Sequence, residues 1–195
     1  MTFYDTENRV WVDYADIPQA MIDAMTAIED KRFWDHHGVD WYTTFASVYR
    51  LATGQSGGGS TITQQLIKNT TGENDVSIIR KVKEIFSALN LEKEYSKEEI
   101  LQAYLNVVNF GAGCYGVQAA ANLYYDKDIA DCSIAECAAI AGITQNPSRY
   151  NPLIYPENNK ERQQVVIQAQ HDVSLAVLAF HAQTIQSVSY THLRA

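Results

Sequence analysis

With 195 residues, 46% of them hydrophobic and 19% charged, the chain has the material for one domain, in one or two lobes, and is too apolar for wholesale disorder. A formal net charge of −8 argues against nucleic acid as a partner. It does not exclude an anionic ligand, because Lys68, Arg80, Lys81 and Lys83 cluster in sequence and local field outweighs the total.

Taken in chain order, Arg9-Val10-Trp11-Val12-Asp13-Tyr14 alternates and is rich in β-formers, which predicts a short strand. Pro18 suits a first helical turn, and Met21, Met25 and Ile28 mark a buried face running toward Glu29 and Phe33, with Gly38 ending the pattern. Trp41, Phe45, Val48 and Tyr49, with Tyr42 beside them, form one helical stripe. That stripe is either core or an amphipathic element resting in a lipid headgroup region. Ser60 is a good N-cap for a helix whose apolar stripe is Ile62, Leu66 and Ile67. Ile78, Ile79, Val82, Ile85, Phe86 and Leu89 repeat at helical spacing, which turns Arg80, Lys83, Glu84 and Ser87 away from the core. Ser96 with Glu99 and Ser133 with Glu136 are capping boxes for two further helices, the second stopped by Gly142 and Pro147. Cys114, Cys132 and Cys137 lack metal-ligand spacing and read as buried free thiols, although Cys132 and Cys137 occupy hydrophobic-staple positions close enough to consider a disulfide. The fold class is mainly α, with at most a small hairpin, the helices packing as two lobes around a cleft.

Three segments carry chemistry. Gly57-Gly58-Gly59 is followed by Ser60-Thr61-Ile62-Thr63-Gln64-Gln65-Leu66-Ile67-Lys68-Asn69, which spends hydroxyls, amides and an ammonium on one short run. Free N–H groups at a helix start beside such donors make a cradle for anions and sugars; alternatively, this is a glycine-rich loop before a capped surface helix. Glu29 ends an apolar helix next to an aromatic, where partial burial favours a general base; alternatively, it is an exposed acid paired with Arg32. Arg80, Lys83 and Glu84 are neighbours on one helical face, which by itself is also the pattern of a solvated, ion-paired surface. Asp35, His36 and His37 are adjacent on a tight turn, a poor metal site, and His36 is better placed as a structural hydrogen-bonder.

In this order, Glu29-Asp30-Lys31-Arg32-Phe33, the run from Gly58 to Asn69, Arg80-Lys81-Val82-Lys83-Glu84, Lys97 to Asn106, and Gly111 with Gly116, Ala119 and Ala120 resemble the successive signatures of the peptidoglycan glycosyltransferases, glycosyltransferase family 51. These are the polymerase modules of class A penicillin-binding proteins and their monofunctional relatives. The resemblance covers roughly residues 3 to 167 and implies a lysozyme-like, two-lobed helical domain that joins lipid II units into glycan strands. It implies Glu29 as catalytic base and Glu84 as the second acid of the cleft. Asp30, Ser60, Thr61, Gln64, Gln65, Lys68 and Asn69 would bind substrate sugars and phosphates, with Arg80 and Lys83 facing pyrophosphate and Asn106 binding substrate from the cleft wall. It further implies a divalent cation, Mg or Mn, bound with the pyrophosphate, and a flank of Trp41, Tyr42, Phe45 and Tyr49 against the membrane. The implied partners are lipid II, the growing lipid-linked strand, the outer face of the bacterial cytoplasmic membrane and a transpeptidase domain in the parent protein.

No stretch approaches a membrane span, the longest apolar run being Val173 to Phe180, and Met1-Thr2-Phe3-Tyr4-Asp5 is not a signal peptide. The resemblance therefore favours a fragment, residues 1–167, truncated at both ends and lacking its anchor, over a cytosolic protein. Two departures stand out. Asp75-Val76-Ser77 lacks the basic residue that many relatives carry there, and residues 168–195 match nothing expected, the end Ser187 to Ala195 reading like translated adapter rather than native sequence. The rival activities are a lysozyme-like hydrolase or lytic transglycosylase, which needs no pyrophosphate cradle, and a non-catalytic fragment that binds glycan or lipid.

Overall fold

In the computed structural model, residues 8–53, 58–72 and 78–192 are described, with side chains described as far as residue 176 in the last helix. Gly57 and the segment 73–77, which includes Val76, lie outside the described residues, as do residues 193–195 and the side chain of Val48.

The fold is organised by a helix with no polar face. Ile134–Ile143 buries every residue from Cys137 to Ile143, and it packs between Gln19–Glu29 and the long Pro156–His192 helix. In chain order the helices are α1 (Gln19–Glu29), α2 (Trp41–Ala52), α3 (Ile62–Thr71), α4 (Ile78–Glu94), α5 (Lys97–Val107), α6 (Val117–Tyr125), α7 (Ile134–Ile143) and α8 (Pro156–His192). Helices α1, α7 and α8 form one group, and α3 packs against α4 and α5 in a second. The cleft between the two groups is the feature the sequence pattern predicts. Helix α8 stays in contact with α1 as far as Gln170, whose Nε2 donates to the Ala20 carbonyl at 3.2 Å beside buried Ala169.

Both capping boxes form as expected, Ser96 with Glu99 on α5 and Ser133 with Glu136 on α7. Pro18 is the N-cap of α1 rather than part of its first turn. The β element is shorter than predicted: β1 (Asn8–Arg9) pairs in parallel with β2 (Cys114–Tyr115), and residues 10–13 leave the sheet because their partner is a side chain, that of Asn106. Gly142 does not stop α7. It is a buried helical residue at which a Cβ would lie 2.9 Å from the Arg162 Cγ, so its size admits α8. All three thiols are free and buried, and burial pushes Cys137 up to about 12 and Cys114 to about 11.

Helix α4 departs from the expectation in part: Lys83 and Ser87 point outward as expected and Ile85 and Leu89 are half-buried. Ile79, Val82 and Phe86 are exposed, whereas Glu84 and Ala88 are buried. Helical periodicity tells which residues share a face, not which face points inward. Here Gly38, at φ +83°, lies against the Ala88 backbone and Glu84 faces the cleft, so the apolar stripe is left outside.

Candidate active site

Glu29, the last residue of α1, reaches the cleft with both carboxylate oxygens held. Oε2 accepts from Gln65 Nε2 at 2.8 Å and Oε1 from the Thr144 hydroxyl at 2.6 Å. Arg32 is not its partner: the guanidinium instead pairs with Asp40, which also accepts from the N–H groups of Tyr42 and Thr43 and so starts α2. Burial acts to raise the Asp40 carboxyl, but the Arg32 and Thr43 hydrogen bonds outweigh it and hold that group below its ordinary value. Behind Glu29, the Gln65 Oε1 accepts from the hydroxyl of Tyr104 at 3.1 Å. Asp30 lines the cleft, but its Oδ2 accepts the Ile62 N–H at 3.0 Å and meets His36 Nε2 at 2.8 Å. His36 is thus the structural hydrogen-bonder anticipated from the sequence.

The cradle differs from its prediction in one physical respect. The N-cap of α3 is Thr61, not Ser60, and two N–H groups at the helix start are taken: Asp30 holds that of Ile62, and Thr61 caps that of Gln64. Thr61 also donates to the Gly38 carbonyl at 2.7 Å, and the Gln64 Oε1 closes the capping box on the Thr61 N–H. These two side chains therefore serve the turn first, although the buried Gln64 Nε2 has no hydrogen-bond partner among the described residues. Gln65 likewise bonds protein at both ends, Glu29 and Tyr104, and also lines the cavity. Lys68 and Asn69 are exposed and line the cleft, as expected.

Across from Glu29, Glu84 is buried between two cations. Arg80 Nη1 donates to its Oε2 at 2.6 Å, and Lys81 Nζ contacts its Oε1 while donating to the Ser60 hydroxyl at 2.7 Å. Lys81 thus ties together two residues that line the cavity, a link that periodicity missed because the expected rotation of α4 turned it elsewhere. The main cavity, about 1100 Å³, takes in Glu29, Ser60, Gln64, Lys68, Glu84 and Thr144, with Lys31, Arg32 and Arg162 adding positive charge along its walls. Arg80 and Lys83 line a separate recess of about 130 Å³ that shares Lys68 and Glu84 with it.

Asn106 is not available to a ligand. It has no exposed surface; its Oδ1 accepts the Val12 N–H at 2.8 Å, and its Nδ2 donates to the carbonyls of Val12 at 2.9 Å and Gln102 at 2.8 Å. It fastens the N-terminal segment to α5. Trp41, Tyr42, Phe45 and Tyr49 are all exposed, so the stripe on α2 is not core. No helix among the described residues is long and apolar enough to cross a membrane.

A carboxylate held at both oxygens in a wide cleft that also takes in Lys31, Arg32, Lys68 and Arg162 is an arrangement able to take a proton beside an anionic group. The chain belongs to the transglycosylase family, whose model matches residues 1–171. Penicillin-binding protein 1F of Bacillus subtilis is 45% identical over 169 residues, which cover 86% of this chain and 24% of the relative. Penicillin-binding protein 1A of Pseudomonas aeruginosa is 43% identical over 164 residues, 82% of this chain and 20% of the relative. The crystal structure of penicillin-binding protein 1A from Haemophilus influenzae superposes with a TM-score of 0.52 at 26% identity, over 87% of this chain and 16% of that one. The chain thus spans a quarter or less of the length of these relatives.

Proposed function

We propose that the domain polymerises lipid II into peptidoglycan glycan strands. Glu29 takes the proton from the acceptor sugar hydroxyl as that oxygen attacks the anomeric carbon of the lipid-linked donor strand. A β-1,4 bond forms with inversion, the bond to the pyrophosphate oxygen breaks, and undecaprenyl pyrophosphate leaves with the electron pair. Lys68, with Lys81 and Arg80 around Glu84, stabilises the charge that develops on the leaving group, and Lys83 adds to that field. The observation that carries this reading is Glu29 fixed by Gln65 and Thr144 in a cavity whose far side holds Lys68, Ser60 and the ion-paired Glu84. Cleavage of finished glycan needs no such cationic wall.

A Mg or Mn ion would enter with the pyrophosphate and take phosphate oxygens as ligands. No three His, Cys, Asp or Glu side chains gather into a metal site among the described residues, and Glu29, Asp30, Asp40 and Glu84 all accept from protein donors. The exposed aromatics of α2, together with Ile79, Val82 and Phe86 of α4, suit a surface resting on the headgroups at the outer face of the bacterial cytoplasmic membrane, where such a substrate is held. The parent protein would carry a transpeptidase domain beyond this one. The test is Glu29→Gln, assayed for polymer formation from purified lipid II. Polymerisation is abolished while the circular dichroism and melting curve stay as in the parent; retained polymerisation would sink the assignment.

A further inference from the structure

Tyr104 is among the largest fully buried side chains, and it carries a hydroxyl into an apolar core, which is costly unless that hydroxyl is used. It donates to the Gln65 Oε1 at 3.1 Å, and the other end of the same carboxamide donates to Glu29 at 2.8 Å. The two bonds are coupled, because a carboxamide accepts at one end and donates at the other. With the phenol donating to the Gln65 oxygen, the amide must turn its NH2 toward Glu29. With the amide reversed, its oxygen would face Glu29 and be satisfied only by a protonated carboxyl.

We propose that Tyr104 is a positioning residue that fixes the orientation of the Gln65 carboxamide and thereby aims its NH2 at the Glu29 carboxylate. This rests on Glu29 being the base of the reaction. Burial, followed by the charges of Glu29 and Asp30, raises the Tyr104 phenol well above its ordinary value, so it remains a donor across the neutral range. Thr144 donates to the second Glu29 oxygen, so donors reach both sides of the carboxylate. The charged groups around the cavity are Asp30 with His36, Lys31, Arg32 with Asp40, Lys68 on α3, Glu84 with Arg80 and Lys81 on α4, and Arg162 on α8. None is removed by Tyr104→Phe, so a fall in kcat in that variant reports the amide and not the loss of a charge.

The experiment measures steady-state lipid II polymerisation with the full chain. Tyr104→Phe is expected to lower kcat by about tenfold and to leave KM nearly unchanged. Gln65→Leu alone gives the same loss of kcat, and adding Tyr104→Phe to it lowers kcat no further. Additive losses, or a kcat unchanged in either single variant, overturn the proposal. A readout independent of activity comes from the Gln65 side-chain NH2 signals in a spectrum of protein labelled with 15N-glutamine. These signals shift in Tyr104→Phe if the phenol fixes the amide. If they do so while Glu29→Gln still polymerises, the base assignment fails and the positioning of Gln65 stands. If Glu29→Gln is inactive and the signals ignore Tyr104, the positioning inference alone falls.

Discussion

Asn106→Ala separates a fastener from a substrate contact. The side chain has no exposed surface, and its loss removes both partners of the Val12 backbone, an N–H held at 2.8 Å and a carbonyl held at 2.9 Å, at a residue only 8% exposed. Leaving one buried backbone group unpaired costs about 1–3 kcal/mol. Val10 and Trp11 next to it are exposed, so the segment can relax toward water, and about 3 kcal/mol is expected for the pair. In a domain of this size, each kcal/mol lowers Tm by about 2–4 °C, giving a fall of about 6–12 °C. Asn106→Asp would set a buried carboxylate oxygen against the Val12 and Gln102 carbonyls, and should fall at least as far. The assay is thermal melting followed by circular dichroism, with the lipid II KM measured well below the variant's Tm. An unchanged Tm with a raised KM would refute the reasoning and return Asn106 to the substrate site.

Lys81→Met should reduce polymerisation by about tenfold or more, and Lys83→Met by less, because Lys81 bonds both Ser60 and Glu84 whereas Lys83 is exposed at the smaller recess. Equal losses in steady-state assays would contradict the rotation of α4 seen here. Gly38→Ala should lower Tm by more than Asn106→Ala: the left-handed backbone costs a side chain about 1–2 kcal/mol, and the new Cβ would sit 2.5 Å from the Ala88 carbonyl oxygen, which cannot step aside. A melting curve within about 2 °C of the parent would argue against that contact. The Glu136 carboxyl is lowered from 4.5 to about 2 by the hydrogen bonds from Lys127 and Ser133. Its folded value lies below its unfolded one, so its contribution is complete above about pH 4.5 and drains away as the pH falls through 2. Melting temperatures of the parent and Glu136→Gln should therefore converge at the acid end, and a gap that stays constant from pH 7 to pH 2 would count against it.

What was legible in the sequence was local. The Ser96–Glu99 and Ser133–Glu136 boxes are closed within three residues, and the apolar face of α1 follows from spacing alone. Glu29, Lys68 and Glu84 could be picked out because a family pattern ties them in order, and the structure brings all three to one cavity. The partners that make Glu29 a defined acceptor come from far along the chain: Gln65 lies 36 residues away and Thr144 115. Thr144 stands just past the end of α7 with no pattern around it, and Tyr104 looks like any other core position of α5. Asn106 meets Val12 across 94 residues, so its polarity suggested a ligand where the true partner was backbone. Lys81 was hidden by the assumption that an apolar stripe faces inward.

That two-sided use of α4 constrains how the chain can be edited. Its inner side carries Lys81, Glu84 and Ala88, and its outer side Ile79, Val82 and Phe86. Each residue advances the helix by about 100°. Single replacements on either side leave the other in place. One residue inserted between Ile79 and Arg80 would instead rotate Lys81, Glu84 and Ala88, together with Val82 and Phe86, by more than a quarter turn relative to the helix before it, taking the ion-paired cluster out of the cleft or parting Ile79 from the rest of the stripe. The helix should tolerate exchange of letters and resist any change in their number, a signature that a library of single-residue deletions and insertions across 78–94 would read directly.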